Sequence, residues 1–281
     1  MGRAGGDFGA PELVGSLGNL FTATGGLSAA VEPSGDVLVA FGTTDDSPAG
    51  KHRTIQVARR PAGGAFQAPV TVLATTSTIH GLALALDAAG TATLAWSQFD
   101  DRAFHVQVAT APPGGTFGAA RPISDPLPVL GTEPLTLAVA RTGAAIVAWL
   151  EPGSATTQIA VATRPAGGAF GPPQAVAAVQ GTAAASHAPF AVINRRGDAA
   201  VIWSPGCGAA PRRILAVTRR AHRAFGPPEL VSGRDAGAQV DAPSNVAIDP
   251  TGAVTVAWQG PSVSGALAVR RPLEGALGTR R

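Results

Sequence analysis

The chain of 281 residues contains no tyrosine, a single cysteine and a single lysine, and aromatic residues make up only 5% of it. With no second cysteine, Cys207 forms no internal disulfide, so cross-links contribute nothing to the fold. It sits in SPGCGAAPRR with no histidine or acid beside it and reads as an inert loop thiol. No apolar run approaches the roughly 18 residues of a membrane-spanning helix. No segment sustains the i, i+3, i+4 apolar spacing of a long helix. The opening MGRAGGDFGAPELVG lacks the apolar centre of a signal peptide, which predicts a cytoplasmic protein, or an extracellular one if an export signal precedes this stretch. Nucleotide-binding glycine loops, paired-histidine zinc motifs and nucleophile elbows are absent as well.

What is abundant is glycine (36), proline (24) and hydrophobic residues (45%). That composition suits many short strands joined by tight turns. The strands repeat. GDVLVAF ends at Phe41, GTATLAW at Trp96, GAAIVAW at Trp149, GDAAVIW at Trp203 and GAVTVAW at Trp258, at steps of 55, 53, 54 and 55 residues. A period of this size with several strands per unit indicates a β-propeller. In each unit, strand A ends in an Asp/Asn, Pro or Gly turn, as in GLALALDAAG, and strand B follows at once. Strand C reads IQVARRP, VQVATAP, IAVATRP, LAVTRR and LAVRRP. A stereotyped turn then leads to a short strand D such as VTVLA or QAVAA. The blades fall at about 24–74, 79–123, 132–178, 187–232 and 243–278, the last of them completed by 4–14. The expected fold is all-β: one five-bladed propeller of four-stranded antiparallel blades, closed by the N-terminal strand, and a monomer. Closure would remove open sheet edges. The recurring Phe41, Trp96, Trp149, Trp203 and Trp258, with Phe8, Phe66, Phe117, Phe170 and Phe225 of the C–D turn, are expected to fill the space between blades.

The C–D turns AGGAFQAP, PGGTFGAA and AGGAFGPP carry Gly-Gly-x-Phe followed by a short strand. This resembles the Asp-box repeat of sialidase-type propellers, in its usual place between strands C and D. Ala62, Pro113 and Ala166 stand where that family has its aspartate, and phenylalanine replaces tryptophan. The Asp-box of that family is structural, so the resemblance implies fold. Sialidases use a tyrosine nucleophile, and a chain without tyrosine departs from that chemistry.

The A–B and C–D turns are uniform, whereas the D–A and B–C connections differ from blade to blade. Variable connections on a rigid scaffold are where function concentrates. The variable side holds Asp45, Asp46, Asp100, Asp101, Asp125, Glu133, Glu151, Asp235 and Asp241, half of the acids. The uniform side holds most of the arginines, Arg59, Arg60, Arg164, Arg219 and Arg271 among them, and is expected to be a solvated basic face. No aromatic residues interleave with these arginines, which argues against nucleic acid as a partner.

Two clusters are candidate sites. Ten residues before the A–B turn glycines lie His80, Glu133 and His187 on three consecutive blades, with Asp241 next to the corresponding fifth position. Equal offsets place them at one height at the mouth of the central channel, where two imidazoles and a carboxylate could hold a divalent metal. The second is Phe99, Asp100, Asp101, Arg102 and Phe104, with Asp45 and Asp46 at the matching offset one blade earlier. Acids beside aromatics suit a glycan or a protein ligand. The expected function is a non-catalytic interaction module binding such a ligand through the variable connections. The alternative is a carbohydrate-active or metal-dependent hydrolase or lyase at the channel mouth.

Overall fold

The computed structural model describes residues 10–15, 26–47, 50–127, 135–152, 156–180, 189–205, 213–232, 245–259 and 266–272. Five antiparallel sheets repeat one plan. The first is β1 (Leu27–Val31), β2 (Val37–Ser47), β3 (Gly50–Arg60) and β4 (Val70–Thr75). The second is β5 (Thr78–Leu86), β6 (Ala92–Phe99), β7 (Phe104–Ala111) and β8 (Arg121–Pro122). The third is β9 (Thr136–Val139), β10 (Ala145–Pro152), β11 (Thr156–Arg164) and β12 (Gln174–Gln180). The fourth is β13 (Phe190–Ile193), β14 (Ala199–Trp203), β15 (Leu215–Arg219) and β16 (Glu229–Leu230). The fifth is β17 (Asn245–Ile248), β18 (Val254–Gln259) and β19 (Ala266–Arg271). In every sheet the strands pair in sequence order, the up-and-down blade of a β-propeller. No helix occurs among the described residues, so none is long and apolar enough to cross a membrane.

The chain divides into two compact units, 1–122 with the first two sheets and 123–281 with the other three. The A–B turns are built alike in both. A glycine takes a left-handed φ at Gly35 (91°), Gly90 (87°), Gly143 (84°), Gly197 (91°) and Gly252 (94°), where a Cβ would be strained. Four residues before the turn closes, Asp87, Asn194 or Asp249 accepts two backbone N–H groups with its side-chain oxygen and fixes the loop.

Strand B lies inside each sheet; β6, β10 and β14 are buried on both faces, whereas β2 and β18 alternate buried and half-buried residues. Within the second unit, Ala199, Val201 and Trp203 of β14 pack with Ile146, Ala148 and Leu150 of β10. The alternate residues Ala200 and Ile202 pack with Val254, Val256 and Trp258 of β18. Within the first unit, Leu94 and Trp96 of β6 pack with Leu38, Ala40, Ile55 and Val57. Period-2 alternation therefore divides β14 between its two neighbours. The anchors Phe41, Trp96, Trp149, Trp203 and Trp258 are all buried. The half-buried Phe66, Phe170 and Phe225 of the C–D turns sit under arginines.

Residues 10–15, where the closing strand is expected, carry no strand pairing, and Leu13 is 86% exposed. The Glu12 carboxylate accepts the Phe66 N–H at 3.1 Å. Residues 4–9 and Phe8 lie outside the described residues.

Candidate functional site

The β6–β7 hairpin brings most of one candidate cluster together. Phe99 and Phe104 are cross-strand partners, which leaves residues 100–103 as the loop. Their ring centroids are 4.9 Å apart, and His80 lies 5.4 Å from Phe104 on its own strand. Phe104 is buried, so it pins the hairpin and has no surface left for a ligand. The Asp100 Oδ1 accepts the N–H groups of Ala103 (2.9 Å) and Arg102 (3.1 Å), and its N–H donates to the Ala103 carbonyl. His105 Nε2 is 3.3 Å from the other carboxylate oxygen. The Ala103 and Arg102 N–H groups, and then His105, hold the Asp100 carboxyl below the usual carboxylate range. Asp101 follows at φ 72°, a left-handed conformation rare for a residue with a side chain. Asp101 and Arg102 are exposed at the tip, and Phe99 is half-buried beneath them.

His80 is buried, and burial followed by the Arg53 charge lowers its pKa. Its imidazole packs on the Phe104 ring. It stands at a bulge, where the pairing moves from His80↔Ser97 to Ala83↔Ala95. Its three expected metal partners, Glu133, His187 and Asp241, lie outside the described residues. Among the described residues no group of three histidines, cysteines or acids is placed to hold a metal.

Asp45 and Asp46 are not in a connecting loop. The expected 42–53 connection is instead an extension of β2 and β3, with Asp45↔His52, Asp46↔Lys51 and Ser47↔Gly50 in register. In the second unit, Glu151 near the end of β10 is half-buried. Burial, and then the charge of Asp125, push its carboxyl above the usual range. In the sequence these two were only members of the acidic set; the clue to Glu151 is its place on strand B just past the buried Trp149.

Of the arginines expected on a solvated face, Arg60, Arg195 and Arg196 are exposed, whereas others are held by partners within the fold. Arg59 is clamped by Glu32 (3.0 Å) and Asp36 (2.7 Å). Arg271 meets Glu229 at 2.6 Å. Arg60, Arg164 and Arg219 lie over Phe66, Phe170 and Phe225 at 5.9, 5.2 and 5.1 Å from the ring centroids. The signal was available, because each of these arginines precedes its phenylalanine by six residues.

No protein-family model matches the chain, and no curated protein does. Solved structures do. A lectin from Burkholderia pseudomallei is similar over 87% of this chain and 70% of its own, at 15% identity and a TM-score of 0.54. A Hadza microbial sialidase matches over 83% of this chain and 52% of its own, at 12% identity and a TM-score of 0.52. The α-L-arabinofuranosidase of Fusarium graminearum, in a complex with arabinobiose, matches over 86% of this chain and 76% of its own, at 11% identity and a TM-score of 0.50. At such identities the likeness shows a shared β-propeller fold.

Proposed function

We propose that the protein is a non-catalytic glycan-binding module that uses the β6–β7 hairpin. The observation that carries this reading is the hairpin tip. It offers a half-buried aromatic (Phe99) beside an exposed carboxylate (Asp101) and an exposed guanidinium (Arg102). An aromatic face with a hydrogen-bond acceptor and donor next to it matches the C–H face and hydroxyls of a sugar ring. The loop is fixed before any ligand arrives, because Asp100 caps it and Phe104 anchors it, and preorganisation lowers the cost of binding. Lectin and glycosidase likenesses support a carbohydrate ligand without choosing between binding and catalysis. A glycan array is the test. Binding should be weakened at least tenfold by Phe99→Ala and by Asp101→Ala, whereas an array signal indifferent to both substitutions would refute the assignment.

A second reading, a glycoside hydrolase, rests on Glu151 and Asp125. Two carboxyl groups in unlike environments, one with a raised pKa, are the pattern of an acid paired with a base or nucleophile. Hydrolysis of nitrophenyl glycosides that disappears in Glu151→Gln would establish it over the first.

A further inference from the structure

Within the second unit, a cleft of about 410 Å³ opens between the turns of the third and fourth sheets. Arg164, Arg195, Arg196 and Arg219 line it together with His222, and no acid does. Asp198, next to Gly197 in the chain, already uses its two oxygens on the Ala221 N–H (3.0 Å) and the Asn194 amide (2.9 Å). Arg195 and Arg196 are exposed, and neither side chain has an ion-pair partner among the described residues. Arg219 is half-buried, and its Nε is buried without a hydrogen-bond partner. Its one side-chain hydrogen bond is a long one, 3.4 Å, to Thr163 Oγ1.

The equivalent places between the first and second sheets and between the fourth and fifth are neutralised. Between the fourth and fifth sheets, Arg271 reaches back to Thr218 Oγ1 as Arg219 does to Thr163, but it also meets Glu229. Glu229 pairs with Ala216 across its sheet. Gln174 holds the corresponding place opposite Val161 and brings no charge. Between the first and second sheets, the guanidinium is Arg59, held by Glu32 and Asp36. Their counterparts in the third sheet are Ala140 and Ala144. Three substitutions of the repeat, each removing an acid, leave Arg195, Arg196 and Arg219 without an ion pair among the described residues. A half-buried guanidinium with no counter-charge is costly unless something supplies one.

We propose that this cleft binds a sugar phosphate or sugar sulfate through the ester's oxyanion. An ester oxyanion with three terminal oxygens, doubly charged in the phosphate and singly in the sulfate, answers several guanidinium forks at once, as a single carboxylate does not. The cleft exceeds the bare ion in size, which leaves room for the organic group. A sugar suits it better than a nucleobase, because no phenylalanine or tryptophan lines the cleft for a base to stack on. The site is separate from the hairpin reading above, and either can fail alone.

Titration calorimetry at low ionic strength tests it, with inorganic phosphate, inorganic sulfate, glucose 6-phosphate, glucose 6-sulfate and adenosine monophosphate as probes. Both glucose esters and both inorganic ions should bind, the esters more tightly, and the nucleotide should gain nothing over glucose 6-phosphate. The double variant Arg195→Ala, Arg196→Ala should weaken binding at least tenfold. Gln174→Glu restores the acid that the next sheet carries, at an exposed position that tolerates it, and should abolish binding while leaving the circular dichroism spectrum unchanged. Absence of saturable heat with all four glucose and inorganic probes overturns the proposal, as does affinity that survives both variants. Tighter binding of the nucleotide than of glucose 6-phosphate overturns the sugar assignment.

Discussion

Glu151 shows how one residue's surroundings set its behaviour. Its carboxyl is raised by burial and by the neighbouring Asp125 charge. In the window between the unfolded and folded pKa values, the native state holds more protons than the unfolded chain. Stability therefore falls as pH rises through that window, the opposite of the usual carboxylate case. Glu151→Gln removes the ionisation and keeps the shape. Its melting temperature should exceed that of the wild type at pH 7, and the difference should shrink towards pH 4. Thermal melts at the two pH values check this, and a variant no more stable than the wild type at pH 7 would show that Glu151 is adequately solvated. Asp100 runs in the opposite sense. Its folded pKa is depressed by the Ala103 and Arg102 N–H groups, so the stability it contributes is present above the unfolded value and is lost as pH falls through the folded one.

At the scale of the turn, the fourth blade departs from the pattern of the others. The first three C–D turns place Gly63, Gly114 and Gly167 at φ 74°, 66° and 70°, but the fourth places His222 at φ 60°. A left-handed residue with a side chain costs about 1–2 kcal/mol, of which the greater unfolded-state freedom of glycine gives back roughly 0.5–1 kcal/mol. His222→Gly should accordingly raise the unfolding free energy by roughly 0.5–1 kcal/mol in urea titrations. A lower midpoint in the variant would mean that the imidazole makes a compensating contact. The turns were legible in the sequence for a physical reason: a left-handed φ and an N–H-capping aspartate demand particular residues, so Gly90 and Asp87 announce themselves. Strand B was legible as well, because burial on both faces leaves only small and apolar side chains around Trp96 and Trp203. The extension of β2 past Gly42 was not, because polar residues that pair across a hairpin have the same composition as a loop. Nor was the clamp on Arg59 legible, since Glu32, Asp36 and Arg59 are adjacent only after three strands have folded together. Of the candidate site, the Phe99–Phe104 hairpin was visible as a break in the repeat; the burial of Phe104, which takes it out of reach of ligands, was not.

For the whole molecule, the open question is the edge of the last sheet. Among the described residues that sheet has three strands, and the outer side of β19 has no strand beside it. The sequence offers one for it: DFGAPELV at 7–14 matches AFGPPELV at 224–231, where Glu229–Leu230 forms the short fourth strand β16. An unpaired edge is a template for association, so closure by the N-terminal segment would protect the monomer. The same segment has a second contact. A Cβ on Gly15 would lie 2.4 Å from Phe41 Cζ, so the glycine backbone rests against the anchor ring of the first sheet. Deleting residues 1–15 therefore uncovers Phe41 and, if closure holds, also frees the edge of β19. Gly15→Ala disturbs only the first contact. The deletion should lower the melting temperature by about 5 °C or more and shift the protein to dimers or larger species in light scattering. Gly15→Ala should lower the melting temperature by less and leave a monomer. A deletion variant that melts lower but remains monomeric would confine the role of the segment to covering Phe41, and one that melts as the wild type does would leave the N-terminal segment with no part in the fold.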